Sequence, residues 1–475
     1  MNAPTQLAHV TPEIKPRPAP PALIEALKSR FGAQFSEAMA VREQHGRDES
    51  AFTTVPPPAG VVFAENTTDV QDAIKLCAQH KVPVIPYGVG SSLEGHLLAV
   101  QGGISLDVSR MNQVLAVNAE DLTVTVQPGV TRKQLNDEIK STGLFFPIDP
   151  GADASIGGMA ATRASGTNAV RYGTMRENVL ALEVVTAQGE AIRTGTRAKK
   201  SSAGYDLTRL FVGSEGTLGV ITEVALRIYP LPEAVSAAIC SFPTIADAVT
   251  TVIQTIQIGV PIARVELIDG NSVRAVNQYA KLSLREEPML LMEFHGSPAG
   301  VKEQAETVQE IAREHRGADF EWADTPEERT RLWTARHNAY FAAVQSRPGC
   351  RCITTDTCVP ISRLADALLD TVAEADESGI PYFLVGHVGD GNFHVGYLID
   401  PDDDDERARA EALNHRVVQR AIALQGTCTG EHGVGLHKMG FLIDEAGAGA
   451  VAMMRTIKQA LDPDNIMNPG KVFAL

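Results

Sequence analysis

The first part of the chain alternates short apolar runs with stretches of helical periodicity. From residue 61 the order is VVFA, then DVQDAIKLCAQH, then VPVIPYG. Apolar positions that recur every three or four residues indicate an amphipathic helix, whereas short apolar runs bounded by Gly, Pro or Asn indicate strands. The pattern therefore predicts strand, helix, strand, a βαβ unit. The runs GGISLDV, LTVTVQPGV, LEVV and LGVITEVALRI predict further strands.

A second region repeats this alternation after a break at residues 229–232. The sequence Tyr-Pro-Leu-Pro at this break contains two prolines, which interrupt regular structure. Beyond it, IADAVTTVIQTIQIG, VKEQAETVQEIAREHRG and TPEERTRLWTARHNAYFAAVQS have helical spacing, and IARVELID, MLLMEFHG and CITTDTCVP are typical of strands. The second region is therefore expected to be a sheet covered by helices.

The length of the chain predicts more than one domain, because 475 residues exceed one ordinary hydrophobic core. We predict an N-terminal arm with a helix over residues 1–54, a first domain over 55–232, a second domain over 233–425, and a C-terminal helical segment over 426–475. The start of the arm is rich in proline and is expected to be extended. It has the features of neither a secretory signal nor a mitochondrial presequence.

The composition excludes some functions. A formal net charge of -16 argues against non-specific nucleic-acid binding, which requires a basic surface. The sequence contains no uninterrupted run of eighteen apolar residues, which a membrane-spanning helix would require. At most a peripheral membrane association is therefore expected. Six cysteines at this length do not indicate a disulfide framework. A cytoplasmic location is therefore expected, and a peripheral position at the inner face of a membrane is compatible with it.

Two glycine-rich segments near the C-terminus carry histidines and a carboxylate. One is His387-Val-Gly-Asp-Gly-Asn-Phe-His394, and the other contains Glu431 and His432. The glycines in the first segment predict a tight turn, since glycine adopts positive φ at low cost. A hairpin there would bring the two histidines together. With Glu431, they offer donors for a divalent ion such as zinc or manganese, and His432 is suited to act as a base.

Two other interpretations of these residues stay open at this point. They are compatible with ordinary polar positions on loops. They are also compatible with a metal-dependent hydrolase that activates water at the same three ligands. The hydrolase, however, gives no role to the glycine-rich stretches of the first domain.

Three such stretches occur in the first domain. One follows the strand VPVI and runs from Pro86 to Gly95, the second lies within residues 149–173, and the third within residues 213–221. Glycine and serine after a strand allow consecutive N–H groups to face an anion such as a diphosphate. None has the Gly-x-Gly-x-x-Gly or Walker pattern in its required context. Together they predict an extended phosphate-bearing ligand.

These stretches closely resemble the FAD-binding domain of the vanillyl-alcohol oxidase superfamily, also called the p-cresol methylhydroxylase type. The resemblance extends from about residue 55 to the C-terminus. The two histidine segments and the terminal Asn468-Pro-Gly-Lys471 are similar to those of the D-lactate dehydrogenase (cytochrome) branch, with glycolate oxidase subunits and D-2-hydroxyglutarate dehydrogenases as near relatives. The resemblance implies an α+β fold: an FAD-binding domain of this type and an α/β substrate (cap) domain with an antiparallel sheet covered by helices.

The resemblance also implies which residues bind FAD. The first loop would hold the pyrophosphate, the second stretch would line the flavin and ribityl chain, and residues 215–221 would hold the adenine end. Some superfamily members attach the flavin covalently through a histidine of the first loop; serines stand here, so non-covalent FAD is expected. The candidate cofactor-binding residues are Pro86, Gly88, Val89, Gly90, Ser91, Ser92, Leu93, Asp149, Pro150, Gly151, Ala152, Ser155, Gly157, Gly158, Gly166, Tyr172, Gly173, Glu215, Gly219, Val220, Ile221 and Asn468.

The implied reaction is oxidation of a 2-hydroxy acid, with a hydride passing from C2 to flavin N5. A divalent ion held by His387, His394 and Glu431 would polarise the hydroxyl group. We predict that His432 accepts its proton. Arg336 matches the family arginine expected to bind the substrate carboxylate, although pairing with an acidic residue on its own helix is the alternative. Asn392 is a further candidate polar contact.

The substrate and partners are expected from the same resemblance. Thr354 stands near the position where hydroxyglutarate-type relatives carry a lysine, which favours a short monocarboxylate such as D-lactate. Cytochrome c, a quinone or an electron-transfer flavoprotein would accept the electrons. The glycolate oxidase alternative requires an iron–sulfur partner, because this chain lacks clustered iron–sulfur cysteines. A homodimer is compatible with the sequence.

Overall fold

The computed structural model describes residues 16–50 and 54–475. Most of the predicted extended arm, residues 1–15, lies outside this range, as do residues 51–53. The chain divides into two compact units. Of the described residues, the first unit contains 16–50, 54–164, 174–230 and 431–475, and the second contains 165–173 and 231–430.

Nineteen strands are present in the described residues. In chain order they are β1 (Phe35–Ser36), β2 (Gly60–Phe63), β3 (Val84–Tyr87), β4 (Ile104–Asp107), β5 (Val114–Asn118), β6 (Thr123–Val126), β7 (Leu144–Phe145), β8 (Val179–Val185), β9 (Ala191–Arg193), β10 (Val220–Arg227), β11 (Tyr229–Pro230), β12 (Ala234–Ser241), β13 (Ile262–Ile268), β14 (Met289–Gly296), β15 (Ala318–Ala323), β16 (Arg351–Thr354), β17 (Thr357–Cys358), β18 (Tyr382–His387) and β19 (Asn392–Ile399).

Fifteen α-helices accompany them over the same range. They are α1 (Pro21–Phe31), α2 (Met39–Gln44), α3 (Thr67–Gln79), α4 (Arg132–Ile139), α5 (Ile156–Thr162), α6 (Ala169–Tyr172), α7 (Met175–Asn178), α8 (Leu207–Phe211), α9 (Ile245–Gln257), α10 (Gly270–Ala280), α11 (Pro298–Glu314), α12 (Pro326–Ser346), α13 (Leu364–Ser378), α14 (Asp404–Ala423) and α15 (Leu442–Leu461). None of these helices combines the length and the apolar composition that crossing a bilayer requires.

The first unit contains two main sheets. One has the order β1-β2-β4-β3, and the other has the antiparallel order β5-β6-β10-β8-β9. The predicted strand–helix–strand is present as β2, α3 and β3, but β4 lies between the two strands and pairs in parallel with both. The unit is therefore a βαβ arrangement with a third strand inserted beside a separate antiparallel sheet.

Helix α3 follows directly from its sequence. The side chain of Asn66 caps its first turn by accepting a hydrogen bond from the N–H of Asp69. Its buried apolar residues are Val70, Ala73, Ile74 and Cys77, which have the spacing of one helix face. Burial of each large aliphatic side chain stabilises such a face by about 1.5–3 kcal/mol.

The second unit is built on one antiparallel sheet with the order β15-β12-β14-β13-β18-β19-β16, and β17 also pairs with β19. Helices α10 and α12 pack on one face through an apolar cluster that includes Leu291, Trp333 and Val385. On the opposite face, α9 contacts β13 and α11 contacts β12 and β14. The expected antiparallel sheet covered by helices is thus confirmed.

Three segments differ from the predicted pattern. CITTDTCVP forms two strands, β16 and β17, because the intervening Asp356 turns inward to accept hydrogen bonds from Asn392 and Thr429. Residues 165–173, predicted in the first domain, group with the second unit, where Arg171 donates to the carbonyl groups of Pro261 and His295.

The predicted C-terminal segment, residues 426–475, does not belong to a single unit. Its residues up to Gly430 belong to the second unit, and those from Glu431 onward belong to the first. Thr427 exchanges backbone hydrogen bonds with Cys358 in the second unit, whereas the N–H groups of Val434 and Gly435 donate to Glu215 in the first.

Candidate functional site

The hairpin of β18 and β19 presents the two predicted metal-binding histidines. His387 pairs with Asn392 across the hairpin, and His394 pairs with Val385, two residues before His387. Because side chains two apart on a strand share a face, both imidazoles project from the same side of the sheet. Their ring centroids lie 5.4 Å apart with the planes at 82°. The predicted turn and the proximity of the two histidines are confirmed.

Each imidazole is oriented through its Nδ1 atom. His387 Nδ1 lies 2.6 Å from Glu266 Oε1, and His394 Nδ1 lies 3.1 Å from the carbonyl oxygen of Thr355. Both partners are acceptors, so a neutral ring carries its hydrogen on Nδ1 and its lone pair on Nε2. Metal-binding histidines are typically held in this way by a carboxylate or a carbonyl group. This donor set therefore fits a divalent ion.

Glu266 lies on β13 and carries no local signal in the sequence, because nothing distinguishes a lone glutamate in an apolar strand. The register that pairs Leu267 with Gly386 places it beside His387, and its side chain has no exposed surface. Burial raises its carboxyl pKa, but His387 and Arg336 oppose this effect and hold the pKa below its ordinary value. Glu266 is therefore an ionised acceptor in a buried position.

Arg336, on α12, uses only part of its guanidinium within the protein. Its Nε donates to Glu266 Oε2 at 2.8 Å, so its acidic partner lies on a strand and not on its own helix. The two terminal nitrogens make no hydrogen bond to any of the residues that the structure describes. They retain the two-donor edge that suits a carboxylate.

Asn392 has partners inside the protein. Its amide nitrogen donates to Asp356 Oδ1 and to the carbonyl oxygen of Thr357, each at 2.9 Å. Its amide oxygen is buried and accepts no hydrogen bond from the described part of the chain. The structure thus gives Asn392 a role in orienting Asp356, which also accepts a hydrogen bond from Thr429. The substrate contact expected of Asn392 stays a prediction.

A second buried polar network lies on the same sheet. His295 on β14 joins Tyr172 Oη, 2.8 Å from its Nδ1, to Glu293 Oε1, 2.8 Å from its Nε2. Arg264 Nε lies 3.5 Å from Glu293 Oε1. His295 thus has two side-chain partners, Tyr172 and the buried Glu293, although no local motif in the sequence indicates them. Tyr172, a candidate flavin-lining residue, is engaged through its hydroxyl group in this network.

In the first unit, the loop after β3 leaves several consecutive backbone N–H groups without an acceptor among the described residues. The N–H groups of residues 88–92 donate no hydrogen bond within the described residues. Gly90 has φ +81°, and a Cβ on it would lie 2.4 Å from the hydroxyl oxygen of Tyr87. At Gly88 a Cβ would lie 2.5 Å from Ser155 Oγ, which brings two candidate segments together. Consecutive unpaired N–H groups beside glycines fit the diphosphate of a dinucleotide.

The rest of the first loop has mixed roles. Ser92 Oγ donates a hydrogen bond to Asp48 Oδ2. The ring of Pro86 packs so closely on Gly216 that a Cβ at Gly216 would lie 2.9 Å from it. The side chains of Val89 and Leu93 are 41% and 40% exposed, which leaves apolar surface beside the cradle. Ser91 is partly exposed.

The second candidate stretch surrounds the start of α5. Ser155 is the N-cap residue of this helix, and a Cβ on Gly157 would lie 2.4 Å from the side chain of Pro128. Ser155, Gly157 and Gly158 belong to the first unit. Gly166 and Gly173, by contrast, flank α6 in the second unit. Asp149 and Pro150 are partly exposed, and Gly151 and Ala152 are exposed, in the loop that precedes α5.

Glu215 and Asn468 face the protein interior. Both oxygens of Glu215 accept hydrogen bonds, from the N–H groups of Val434 and Gly435 at 2.7 Å each. Asn468 Nδ2 donates to the carbonyl oxygens of His96 and Glu215. These side chains fix the segment after Glu431. Gly219 precedes β10, and Val220 and Ile221 begin it, paired with Val185 and Val184. Contact of any of these residues with a cofactor stays a prediction.

The proposed base His432 lies in the first unit beside a buried carboxylate that the sequence did not indicate. Glu94 Oε1 is 3.6 Å from His432 Nδ1 and 3.0 Å from Lys438 Nζ. Burial raises the pKa of Glu94, but Lys438 and the histidines 432 and 437 outweigh it and hold the pKa well below its ordinary value. Glu94 is therefore an ionised carboxylate beside the proposed base.

The predicted metal ligands are thus divided between the two units. His387 and His394 lie in the second unit, and Glu431 is the first residue after Gly430, where the chain returns to the first unit. The three-ligand set therefore stays a prediction.

Comparison with known proteins identifies the family. Residues 58–195 match the family described as FAD binding domain, and residues 231–472 match FAD linked oxidases, C-terminal domain. A Danio rerio protein named probable mitochondrial D-lactate dehydrogenase is 51% identical over 457 residues, 95% of this chain and 92% of that protein. The mitochondrial D-lactate dehydrogenase (cytochrome) of Arabidopsis thaliana is 45% identical over 455 residues, 96% of this chain and 80% of that protein.

A solved structure supports the fold assignment. The crystal structure of p-cresol methylhydroxylase with substrate bound has a TM-score of 0.76 and 16% identity, and the match covers 97% of this chain and 99% of that one. At this identity the likeness concerns the fold alone, and it confirms the expected p-cresol methylhydroxylase-type architecture. Two domain families match this chain, and the relatives match it over most of their length. The chain therefore belongs to the FAD-linked oxidase family.

Proposed function

We propose that the protein is an FAD-dependent D-2-hydroxy acid dehydrogenase that oxidises D-lactate to pyruvate. The observation that carries the proposal is the histidine pair on the β18–β19 hairpin, each ring held through Nδ1. The names of the relatives supply the substrate, since the two relatives described above, which match over most of their length, are named as D-lactate dehydrogenases. The unpaired N–H groups of residues 88–92 support binding of the FAD diphosphate.

The ligands that we propose for a zinc or manganese ion are His387, His394 and Glu431. When bound, the ion supplies a Lewis acid for the substrate hydroxyl and FAD supplies the hydride acceptor. His432 takes the hydroxyl proton at a ring nitrogen, which is a task suited to an imidazole near neutral pH. Arg336 binds the substrate carboxylate through its two terminal nitrogens, with Nε already held by Glu266.

The proposal favours a monocarboxylate. Thr354 ends β16, pairs with Gly396 of β19, and lies within 3.3 Å of Cys352 Sγ through its hydroxyl oxygen. A second substrate carboxylate would find no cation at Thr354 itself, so D-2-hydroxyglutarate is the weaker candidate. A glycolate oxidase subunit remains the alternative within the same chemistry. The hydrolase is disfavoured because the chain belongs to an FAD-linked family.

The names of the relatives also bear on the electron acceptor and on the location of the protein. One relative carries "cytochrome" in its name, which supports a cytochrome acceptor here over a quinone or an electron-transfer flavoprotein. Both relatives are named as mitochondrial, and the cytoplasmic location of this chain stays a prediction.

The test is anaerobic reduction of the bound flavin. The purified protein is mixed with D-lactate, L-lactate, glycolate or D-2-hydroxyglutarate, and the visible flavin band is followed in a stopped-flow spectrometer. Rapid bleaching by D-lactate alone is the expected result. Bleaching mainly by glycolate or D-2-hydroxyglutarate would retain the chemistry and change the substrate, and a protein that shows no flavin band after FAD is added would refute the proposal.

A further inference from the structure

Glu266 is a fully buried carboxylate whose two oxygens serve different elements. Oε1 accepts a hydrogen bond from His387 on β18, and Oε2 accepts one from Arg336 on α12. The side chain of Glu266 has no exposed surface, and those of His387 and Arg336 are 8% and 21% exposed. A buried carboxylate is costly unless each oxygen is satisfied, so this bridge is strongly specified.

The bridge orients both partners. The hydrogen bond to His387 Nδ1 places the lone pair of a neutral ring on Nε2, the atom on the other side of the ring. The hydrogen bond to Arg336 Nε fixes the plane of the guanidinium and leaves its two terminal nitrogens as the outward edge. One carboxylate therefore sets the direction of a metal-ligand atom and of a carboxylate-binding group.

We propose that Glu266 is a positioning residue that couples the metal ligand His387 to the substrate-carboxylate group Arg336. This proposal rests on the proposed function, in which His387 binds the ion and Arg336 binds the substrate. Both carboxylate oxygens of Glu266 are occupied by these two residues, so Glu266 acts through them. Without it, His387 would be free to adopt the other tautomer, and Arg336 would lose the contact that fixes its rotamer.

The substitution Glu266→Gln tests this coupling with almost no change in volume. Glutamine offers one acceptor and one donor group in place of two acceptors. Arg336 can only donate, whereas a neutral imidazole can switch tautomer, so the amide oxygen is expected to face Arg336 and the amide nitrogen to face His387. His387 would then accept at Nδ1 and carry its hydrogen on Nε2, which removes the metal-binding lone pair.

Glu293 provides a matched control on the neighbouring strand. It is also a buried carboxylate on the sheet, it is close to a histidine (His295) and an arginine (Arg264), and it contacts neither His387 nor Arg336. Glu293→Gln therefore imposes a similar loss of charge and acceptor on the same sheet. It separates a general effect on the fold from an effect on the proposed site.

The experiment is a manganese titration of the full-length, FAD-loaded and metal-stripped protein, with free Mn²⁺ followed by electron paramagnetic resonance. Loss of a hydrogen-bond partner behind a metal-binding histidine typically weakens metal affinity about 10–100-fold. We expect this weakening for Glu266→Gln, a smaller one for Glu266→Asp, and a change of less than about 2-fold for Glu293→Gln. A parallel measurement of D-lactate KM is expected to show an increase for Glu266→Gln.

The outcomes are distinguishable. Wild-type metal affinity in a folded Glu266→Gln protein, or equal weakening in Glu293→Gln, would overturn the role of Glu266. If Glu266→Gln does not fold, Glu266→Asp decides the matter, since it keeps two acceptors but shortens their reach: unchanged manganese affinity in that variant also overturns the proposal. A wild-type protein that binds neither manganese nor, in a parallel titration, zinc would refute the metal site of the proposed function, and with it this role of Glu266.

Discussion

Lys471, the last residue of the Asn-Pro-Gly-Lys sequence, is a buried amine with a perturbed pKa. It is 2% exposed, and its Nζ donates to the carbonyl oxygen of Leu98 at 2.7 Å. Burial lowers its pKa from 10.5 to about 7, although the charges of Asp48 and Glu215 act in the opposite direction. The amine therefore loses its proton near neutral pH in the folded protein and far above it in the unfolded chain.

The sign of the effect on stability follows from this difference. Between pH 7 and 10.5 the unfolded chain holds a proton that the folded protein lacks, so the free energy of unfolding rises with pH. The slope approaches about 1.4 kcal/mol per pH unit. Below pH 7 both states hold the proton and this dependence disappears. From pH 7.5 to pH 9, Lys471 is expected to add about 2 kcal/mol to the free energy of unfolding.

The assay compares wild type with Lys471→Met, which keeps the volume and removes the titrating group. Urea denaturation at pH 7.5 and pH 9, with saturating FAD and circular dichroism as the signal, gives the free energy of unfolding for each protein. The difference between the two proteins should shift by about 2 kcal/mol in favour of wild type at the higher pH. Lys133→Met, on an exposed lysine of α4, is the control and should follow wild type.

Parallel pH profiles for wild type and Lys471→Met, within about 0.5 kcal/mol of each other, would refute the reasoning. They would mean that Lys471 keeps its proton through this range, held by Glu215 and Asp48.

Three further predictions concern the site. His432→Ala should keep FAD bound but slow anaerobic flavin reduction by D-lactate at least about 10²-fold, because the group that accepts the hydroxyl proton is lost; a near-normal rate would mean that the base is misassigned. His387→Ala should lose both bound metal, measured by elemental analysis, and activity, and activity that survives in the metal-free variant would contradict the ligand role. Gly90→Ala should weaken FAD binding roughly 5–30-fold in a flavin-fluorescence titration, since strain at φ +81° costs about 1–2 kcal/mol and the new Cβ meets Tyr87; Gly440→Ala, where a Cβ meets nothing within 4 Å, is the control, and equal affinity for both variants would count against the cradle.

Local features were predictable from the sequence because their causes are local. The turn between His387 and His394 depends on glycines within the segment, and Gly391 has φ +81° as such a turn requires. The face of α3 follows from apolar spacing, and the break near residue 230 from two prolines. The family and the overall fold followed from motifs that extend over most of the chain.

The sequence by itself therefore determined the strand and helix pattern, the family and the residue types that carry the chemistry. The tertiary structure alone decided which charges meet. Glu266 lies 121 positions from His387 and 70 from Arg336, and only the register of β13 with β18 and the packing of α12 bring them together. Glu94 and the segment after Glu431 meet in the same way. Such pairs are set by strand register and burial, which depend on the whole fold and leave no periodic signal in the chain.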